Sequence, residues 1–303
     1  GRMDWSQELD GWSRVLLEEH IPFEIVVAEQ VASAADLGRY DLVVLPNLAF
    51  TSDAFCAAVD AYTRAGGRVL ASGEVSLGNQ QGLSREDFAL GRLLGIARKG
   101  SVEGPFAMDG PEELEPAHGV FQQIAAAGET LVRRYDTDPA GSVAGYVDPF
   151  PTTPTNWPVV VTQRADAGQA IYVAFGLGRY YAMRHLTHAR DLMVRCIDRL
   201  LPARQIRVRA PRHLEVTVWQ QESPKRTIIH LANRTPLAHD MPRIHEVAPV
   251  NDIVLEFDSP YASAKVTCRQ AEADTTVANG RVSVRVHKLH VYAAVVVEPA
   301  TQG

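Results

Sequence analysis

The hydrophobic period of this chain changes once, at Pro202, and that change sets what the chain can fold into. Before Pro202, short continuous apolar runs alternate with stripes at helical spacing. After it, apolar residues recur at every second position. A continuous run fits a strand buried on both faces, whereas strict alternation fits a sheet with one face in a core. The two halves therefore predict different architectures, and 303 residues are enough for two ordinary domains.

In the first half, Leu9, Trp12 and Leu16 lie one helical turn apart. Phe23-Glu24-Ile25-Val26-Val27 reads as a strand, as do Leu42-Val43-Val44-Leu45-Pro46 and Arg68-Val69-Leu70-Ala71-Ser72. Thr51-Ser52-Asp53 offers cap chemistry to a helix whose apolar face is Phe55, Ala58, Val59 and Tyr62. Gly66-Gly67 ends that helix. A further helix is predicted over 85–94. The stretch 96–158 is less regular, with an acidic piece between Pro111 and Pro116 and a Pro-, Gly- and Thr-rich loop from Asp136 to Pro158. Val159-Val160-Val161 and Ala170 to Phe175 form a hairpin pattern turning at Asp166-Ala167-Gly168. Leu192, Met193, Cys196, Ile197 and Leu200 mark the last helix. Beyond Pro202, Asn279-Gly280 between two alternating runs is the clearest hairpin turn in the chain. The expected organisation is an α/β domain over 4–203 and a small antiparallel β-sandwich over 204–303. Residues 1–3 read as a cloning remnant outside the fold.

Composition narrows the partners. A net charge of −6 disfavours nucleic acid, which needs clustered Lys and Arg. No apolar run approaches the ~20 residues of a membrane span, so no membrane partner is expected. Cys56, Cys196 and Cys268 form no CxxC pair and read as free thiols in a reducing, cytoplasmic setting.

In open α/β sheets ligands sit beyond the carboxyl ends of the strands. Those ends place Asn47, Ser72, Glu74, Arg179 and Tyr180 at one edge, with Arg85 and Asp87 opening the helix that follows. These seven residues are the candidate pocket, and Arg85 is positioned to pair with Glu74. No catalytic residue is assigned. Ala71-Ser72-Gly73-Glu74 lacks G-x-S-x-G spacing, which leaves Ser72 a nucleophile without a base. No metal site or cofactor is expected either. His185 and His188, i and i+3 on one helix with Asp191 a turn on, lack a further ligand, and His287 and His290 point to opposite faces of a strand.

Several blocks, in this order, carry a resemblance: Trp12, Leu16 through Val26, Tyr40 through Asn47, Gly66 through Glu74, Arg85 through Leu90, and Gln220 through Asn233. With the blocks up to Leu90 the chain resembles the β-galactosidase trimerisation domain, the glutamine-amidotransferase-like middle domain of family 42 glycoside hydrolases, and Gln220 through Asn233 resembles the start of the same family's C-terminal domain. The version it is most similar to is found in hypothetical glycosyl hydrolases, followed there by a C-terminal β-domain. The resemblance implies a doubly wound, flavodoxin-like sheet, a homo-oligomer, and a catalytic barrel elsewhere that carries the glycosidase reaction. It also points to the amidotransferase cysteine and His-Pro-Glu, where this chain has Gly73-Glu74 and Gly178-Arg179-Tyr180-Tyr181. Glutamine hydrolysis is therefore not expected. The reading is a non-catalytic part of a glycoside hydrolase that serves oligomerisation and supports a neighbouring barrel. The alternative is a carbohydrate- or small-molecule-binding domain using the pocket above.

Overall fold

The computed structural model describes residues 5–108, 117–137, 152–234 and 247–300. The chain divides into two compact units, Gly1–Trp12 with Val26–Pro202, and Ser13–Ile25 with Ala203–Gly303.

The helix α1 (Trp5–Glu18) lies in the first unit up to Trp12 and in the second from Ser13; Glu8 and Trp12 are buried in the first part, and Val15 and Leu16 in the second. A short α2 (Ala34–Leu37) leads to β1 (Val43–Leu45), α3 (Asp53–Arg64) and β2 (Arg68–Ser72). The Ser52 side chain caps α3 by accepting from the Phe55 N–H at 3.0 Å, and the predicted face of Phe55, Ala58, Val59 and Tyr62 is buried. The close fit of Gly67 to the Tyr62 ring, where a Cβ would sit 2.3 Å from Cζ, favours glycine after the helix. After α4 (Gly91–Leu94) come β3 (Ile96–Met108), β4 (Ala117–Ala126), β5 (Glu129–Thr137), β6 (Thr152–Ala165) and β7 (Gly168–Val173). Two helices, α5 (Leu177–Arg184) and α6 (Thr187–Leu200), close the unit.

Its seven strands form one mixed sheet in the order β1-β2-β7-β6-β5-β3-β4. Among the described strands only β1, β2 and β7 run parallel; Val69, Leu70 and Ala71 of β2 and Ala170, Ile171 and Val173 of β7 are buried, and β1, at the sheet edge, buries Leu45. The β6–β7 pairing is the expected hairpin. Four predictions need correction. The stretch 96–158 is largely strand: β3, β4 and β5 occupy it, and β6 starts within it. Register shifts between Arg98 and Gly100 and along β5–β6 break the alternation that would have revealed these strands. The acidic piece at 111–116 and residues 138–151 of the long loop lie outside the described residues. Phe23–Val27 belongs to no strand and is exposed, because β-propensity yields a ladder only where a partner strand lies alongside. Of the helix over 85–94 only α4 forms, since the Asp87 carboxylate accepts from the Phe88 and Arg98 N–H groups and competes with helical bonding. Finally, His185 ends α5 with φ 54° while His188 belongs to α6, so they do not share a helix.

The second unit has β8 (Ile206–Arg209), β9 (Leu214–Glu222), β10 (Lys225–Asn233), β11 (Val250–Asp258), β12 (Ala264–Arg269), β13 (Ala273–Ala278), β14 (Arg281–Leu289) and β15 (Tyr292–Pro299). They form two four-stranded antiparallel sheets, β12-β15-β10-β9 and β13-β14-β11-β8. One core unites them: Val216, Leu231 and Val295 come from the first sheet, and Leu255, Val284 and Val286 from the second. Each such side chain contributes about 1.5–3 kcal/mol on burial. Asn279 and Gly280 adopt φ 52° and 75°, the pair of positive values that a two-residue I′ hairpin requires. His20 lies in this unit, its ring facing the Leu214 carbonyl at 2.9 Å and the Ala210 carbonyl at 3.3 Å. Burial pushes its pKa below the ordinary histidine value, against the opposing pull of the two carbonyls.

Candidate functional site

The carboxyl ends of β1 and β2 gather four of the seven candidate residues around a side chain that pattern reading passed over. Asn47 follows β1 with φ 46° and is 2% exposed. Its N–H donates to Ser72 Oγ at 3.2 Å, and its Oδ1 accepts from the Glu74 N–H at 2.7 Å. The Ser72 hydroxyl in turn donates to Glu8 Oε1 at 2.6 Å. Trp12 Nε1 donates to the same oxygen at 2.8 Å, and the Gly178 N–H at 3.2 Å. The Arg179 N–H donates to Glu8 Oε2 at 2.7 Å.

Glu8 is fully buried, and all four of its partners are donors, which is the shell a carboxylate needs. Two of them are backbone N–H groups in the first turn of α5, where the helix dipole favours negative charge. Burial pushes the carboxyl above its ordinary pKa, and the hydrogen bonds from Ser72, Arg179, Trp12 and Gly178 pull it back. The carboxylate thus joins α1, the end of β2 and the start of α5. It had a sequence signal: Glu8 lies one turn before Trp12, on the inward stripe of an amphipathic helix. The same junction needs glycine twice. A Cβ on Gly11 would sit 1.9 Å from the Gly178 carbonyl oxygen, and one on Gly178 would sit 2.4 Å from the Glu8 carbonyl oxygen.

The remaining candidates serve other contacts. Arg85 forms its ion pair with Asp53, at 2.6 Å, rather than with Glu74. It also donates to the Thr51 carbonyl at 3.0 Å and the Ser76 carbonyl at 3.2 Å, and to the Gly78 carbonyl. These bonds bind the loop after β2 to the start of α3. Asp87 is exposed and holds the start of β3 through the Arg98 N–H. Arg179 donates from Nε to Gln7 Oε1 at 3.0 Å. Tyr180 is buried against Phe175 and His188, with ring centroids 6.4 and 6.0 Å away. The Glu74 carboxylate is half-buried and makes no hydrogen bond among the described residues. An open depression of about 480 Å³ lies away from this edge, between α3 and the 89–93 segment, lined by Cys56, Asp60, Arg64, Leu90, Arg92 and Leu93.

This arrangement builds structure, and its chemistry is limited by access. Ser72 is 1% exposed, receives the Asn47 N–H and spends its own proton on Glu8. Cys56 lies within α3, and burial raises its thiol pKa. Burial pushes the Cys196 thiol up to about 12. Neither thiol has the depressed pKa of a nucleophile. No group of three or more metal-ligating side chains occurs among the described residues, and no helix there is long and apolar enough to cross a membrane.

Comparison with solved structures places the whole chain in context. It aligns with α-L-fucosidase isoenzyme 2 from Paenibacillus thiaminolyticus at 25% identity and a TM-score of 0.75, covering 96% of this chain and 44% of that one. A GH42 β-galactosidase from G. stearothermophilus aligns at 14% identity and a TM-score of 0.64, over 99% of this chain and 37% of that one. The β-galactosidase from Bacillus circulans sp. alkalophilus gives 14% and 0.60, over 98% and 38%. The chain therefore spans less than half the length of these structures. A comparison with curated proteins finds no match. Residues 2–194 match the family model described as the β-galactosidase trimerisation domain, and the chain belongs to that family.

Proposed function

We propose that this chain is the non-catalytic part of a glycoside hydrolase, assembling copies of the protein into an oligomer and supporting a neighbouring catalytic barrel. The observation that carries this reading is the family match over residues 2–194, together with solved glycosidases more than twice as long that align over almost all of this chain. The network at Glu8 supports it, since the strand-end elbow where an amidotransferase nucleophile would stand is filled by buried structural bonds. On this reading the parallel strands are the remainder of a flavodoxin-like, amidotransferase-like sheet over 4–203. The eight later strands are a β-sandwich over 204–303, and the assembled enzyme works in the cytoplasm. Sedimentation of the chain tests the oligomeric role. A concentration-stable trimer or other closed oligomer is expected, and a monomer at tens of micromolar would overturn it.

A second reading, sugar binding at the carboxyl edge of the first sheet, is favoured by one observation, the unengaged Glu74 carboxylate beside Asn47. Glu74→Ala separates the two. Lost sugar binding at unchanged stability supports a ligand site, and unchanged binding supports the structural role.

A further inference from the structure

The sheet β12-β15-β10-β9 turns Val216, Ile229, Leu231, Val295 and Val297 into the core of the second unit. Its opposite face is composed differently. In the first row Trp219 stands opposite Ile228, Ile228 opposite Val296, and Val296 opposite Thr267. In the next, Thr217 stands opposite His230, His230 opposite Ala294, and Ala294 opposite Arg269. Tyr292, opposite Ala232, begins the third. Trp219 is 65% exposed. His230 and Tyr292 are joined by a hydrogen bond between Nδ1 and the phenol oxygen, with their rings 5.8 Å apart. One exposed apolar side chain is ordinary. Here it shares a face with a bonded imidazole–phenol pair and half-buried Ile228, over a floor where Val296 and Ala294 are buried.

We propose that this face binds a neutral oligosaccharide, Trp219 stacking on one sugar ring while His230 and Tyr292 engage hydroxyls of another. An indole face suits the C–H face of a pyranose, and a polar rim of hydroxyl, imidazole and guanidinium suits its hydroxyl groups. The first two rows contain no carboxylate; in the third, Glu215 stands opposite Ala232 and is paired with Arg234 at 3.1 Å. Four residues and two strand spacings separate Trp219 from Tyr292, about 13 Å by about 10 Å. The diagonal of about 16 Å accommodates several sugar rings. Sugar as the ligand class rests on the glycoside-hydrolase reading above, whereas the location rests on strand register alone.

The test is calorimetric titration of the whole chain with a panel of neutral oligosaccharides that includes galactotetraose and fucosyllactose. Saturable binding to at least one is expected. Trp219→Ala weakens it at least tenfold, Trp219→Phe restores most of it, and His230→Ala and Tyr292→Phe weaken it a few-fold, all with unchanged melting temperature. Absence of binding across the panel at millimolar sugar overturns the proposal, as does binding indifferent to Trp219→Ala. A change of sedimentation mass in Trp219→Ala overturns it in favour of a protein contact. An oligomer of wild-type chain that binds no sugar sinks this surface alone, and a monomer that binds sugar through Trp219 sinks only the oligomeric role.

Discussion

Removing the Glu8 carboxylate tests whether one buried charge organises the first unit. Glu8→Ala leaves four donors without their acceptor: Trp12 Nε1, the Ser72 hydroxyl, and the Gly178 and Arg179 N–H groups. An unsatisfied buried donor costs about 1–3 kcal/mol. Water entering the space, and the relief of no longer burying a charge, offset part of that sum. A net loss of about 3–5 kcal/mol is expected, the range seen when one partner of a buried charged interaction is removed. Glu8→Gln is a finer probe. Its carbonyl oxygen can take the place of Oε1 and keep three donors, but its NH2 then opposes the Arg179 N–H. One clash of donors, with charge-assisted bonds replaced by neutral ones, predicts about 1–3 kcal/mol. Urea midpoints should be followed by Trp12 emission in a background where Trp5, Trp157 and Trp219 are phenylalanine, so that the transition reports on the first unit. A Glu8→Ala loss below about 1 kcal/mol would refute the reasoning, because the four donors would then be satisfied without the carboxylate. A Glu8→Gln variant as unstable as Glu8→Ala would show that charge, rather than acceptor geometry, carries the effect.

Other outcomes follow from the same geometry. Gly11→Ala forces a Cβ against the Gly178 carbonyl and is expected to cost about 1–3 kcal/mol or more, read as a lower urea midpoint of the same transition. His20 has a lowered pKa in the folded chain, so the unfolded chain takes up the proton first. The stability of the second unit should therefore fall as pH drops below about 6.5, and His20→Asn should flatten that slope in urea midpoints followed by Trp219 emission. Iodoacetamide at about pH 8 should label half-buried Cys268 ahead of buried Cys56 and Cys196, as peptide mapping would record. Incubation with glutamine should release no ammonia; release abolished by substituting any one cysteine would overturn the structural reading of the strand-end elbow.

What the sequence by itself determined is what local periodicity encodes. The buried run of β2, the capped helix α3, the β6–β7 hairpin and the Asn279-Gly280 turn stand where their patterns put them, whereas the apolar run of β1 forms a half-buried edge strand. Each depends on residues near one another in the chain, so burial period, cap and turn chemistry suffice. The change of period at Pro202 falls between the mixed sheet and the two antiparallel sheets, but Ser13–Ile25, upstream of it, groups with the latter. Tertiary structure decided the rest. Whether Phe23–Val27 becomes a strand depends on a neighbour, not on its own side chains. The strands β3 to β5 are held by pairings whose register shifts erase the alternating signature. At the candidate site, the sequence put Asn47, Ser72 and Glu74 at one sheet edge, and they meet there. The acceptor of the Ser72 hydroxyl is Glu8, 64 residues away, and only folding brings α1 across that distance. Arg85 turned to Asp53 and backbone carbonyls for the same reason. Strand periodicity places side chains on an edge, but which partner each one takes is settled by elements remote in the chain, through the requirement that every buried donor and charge find its complement.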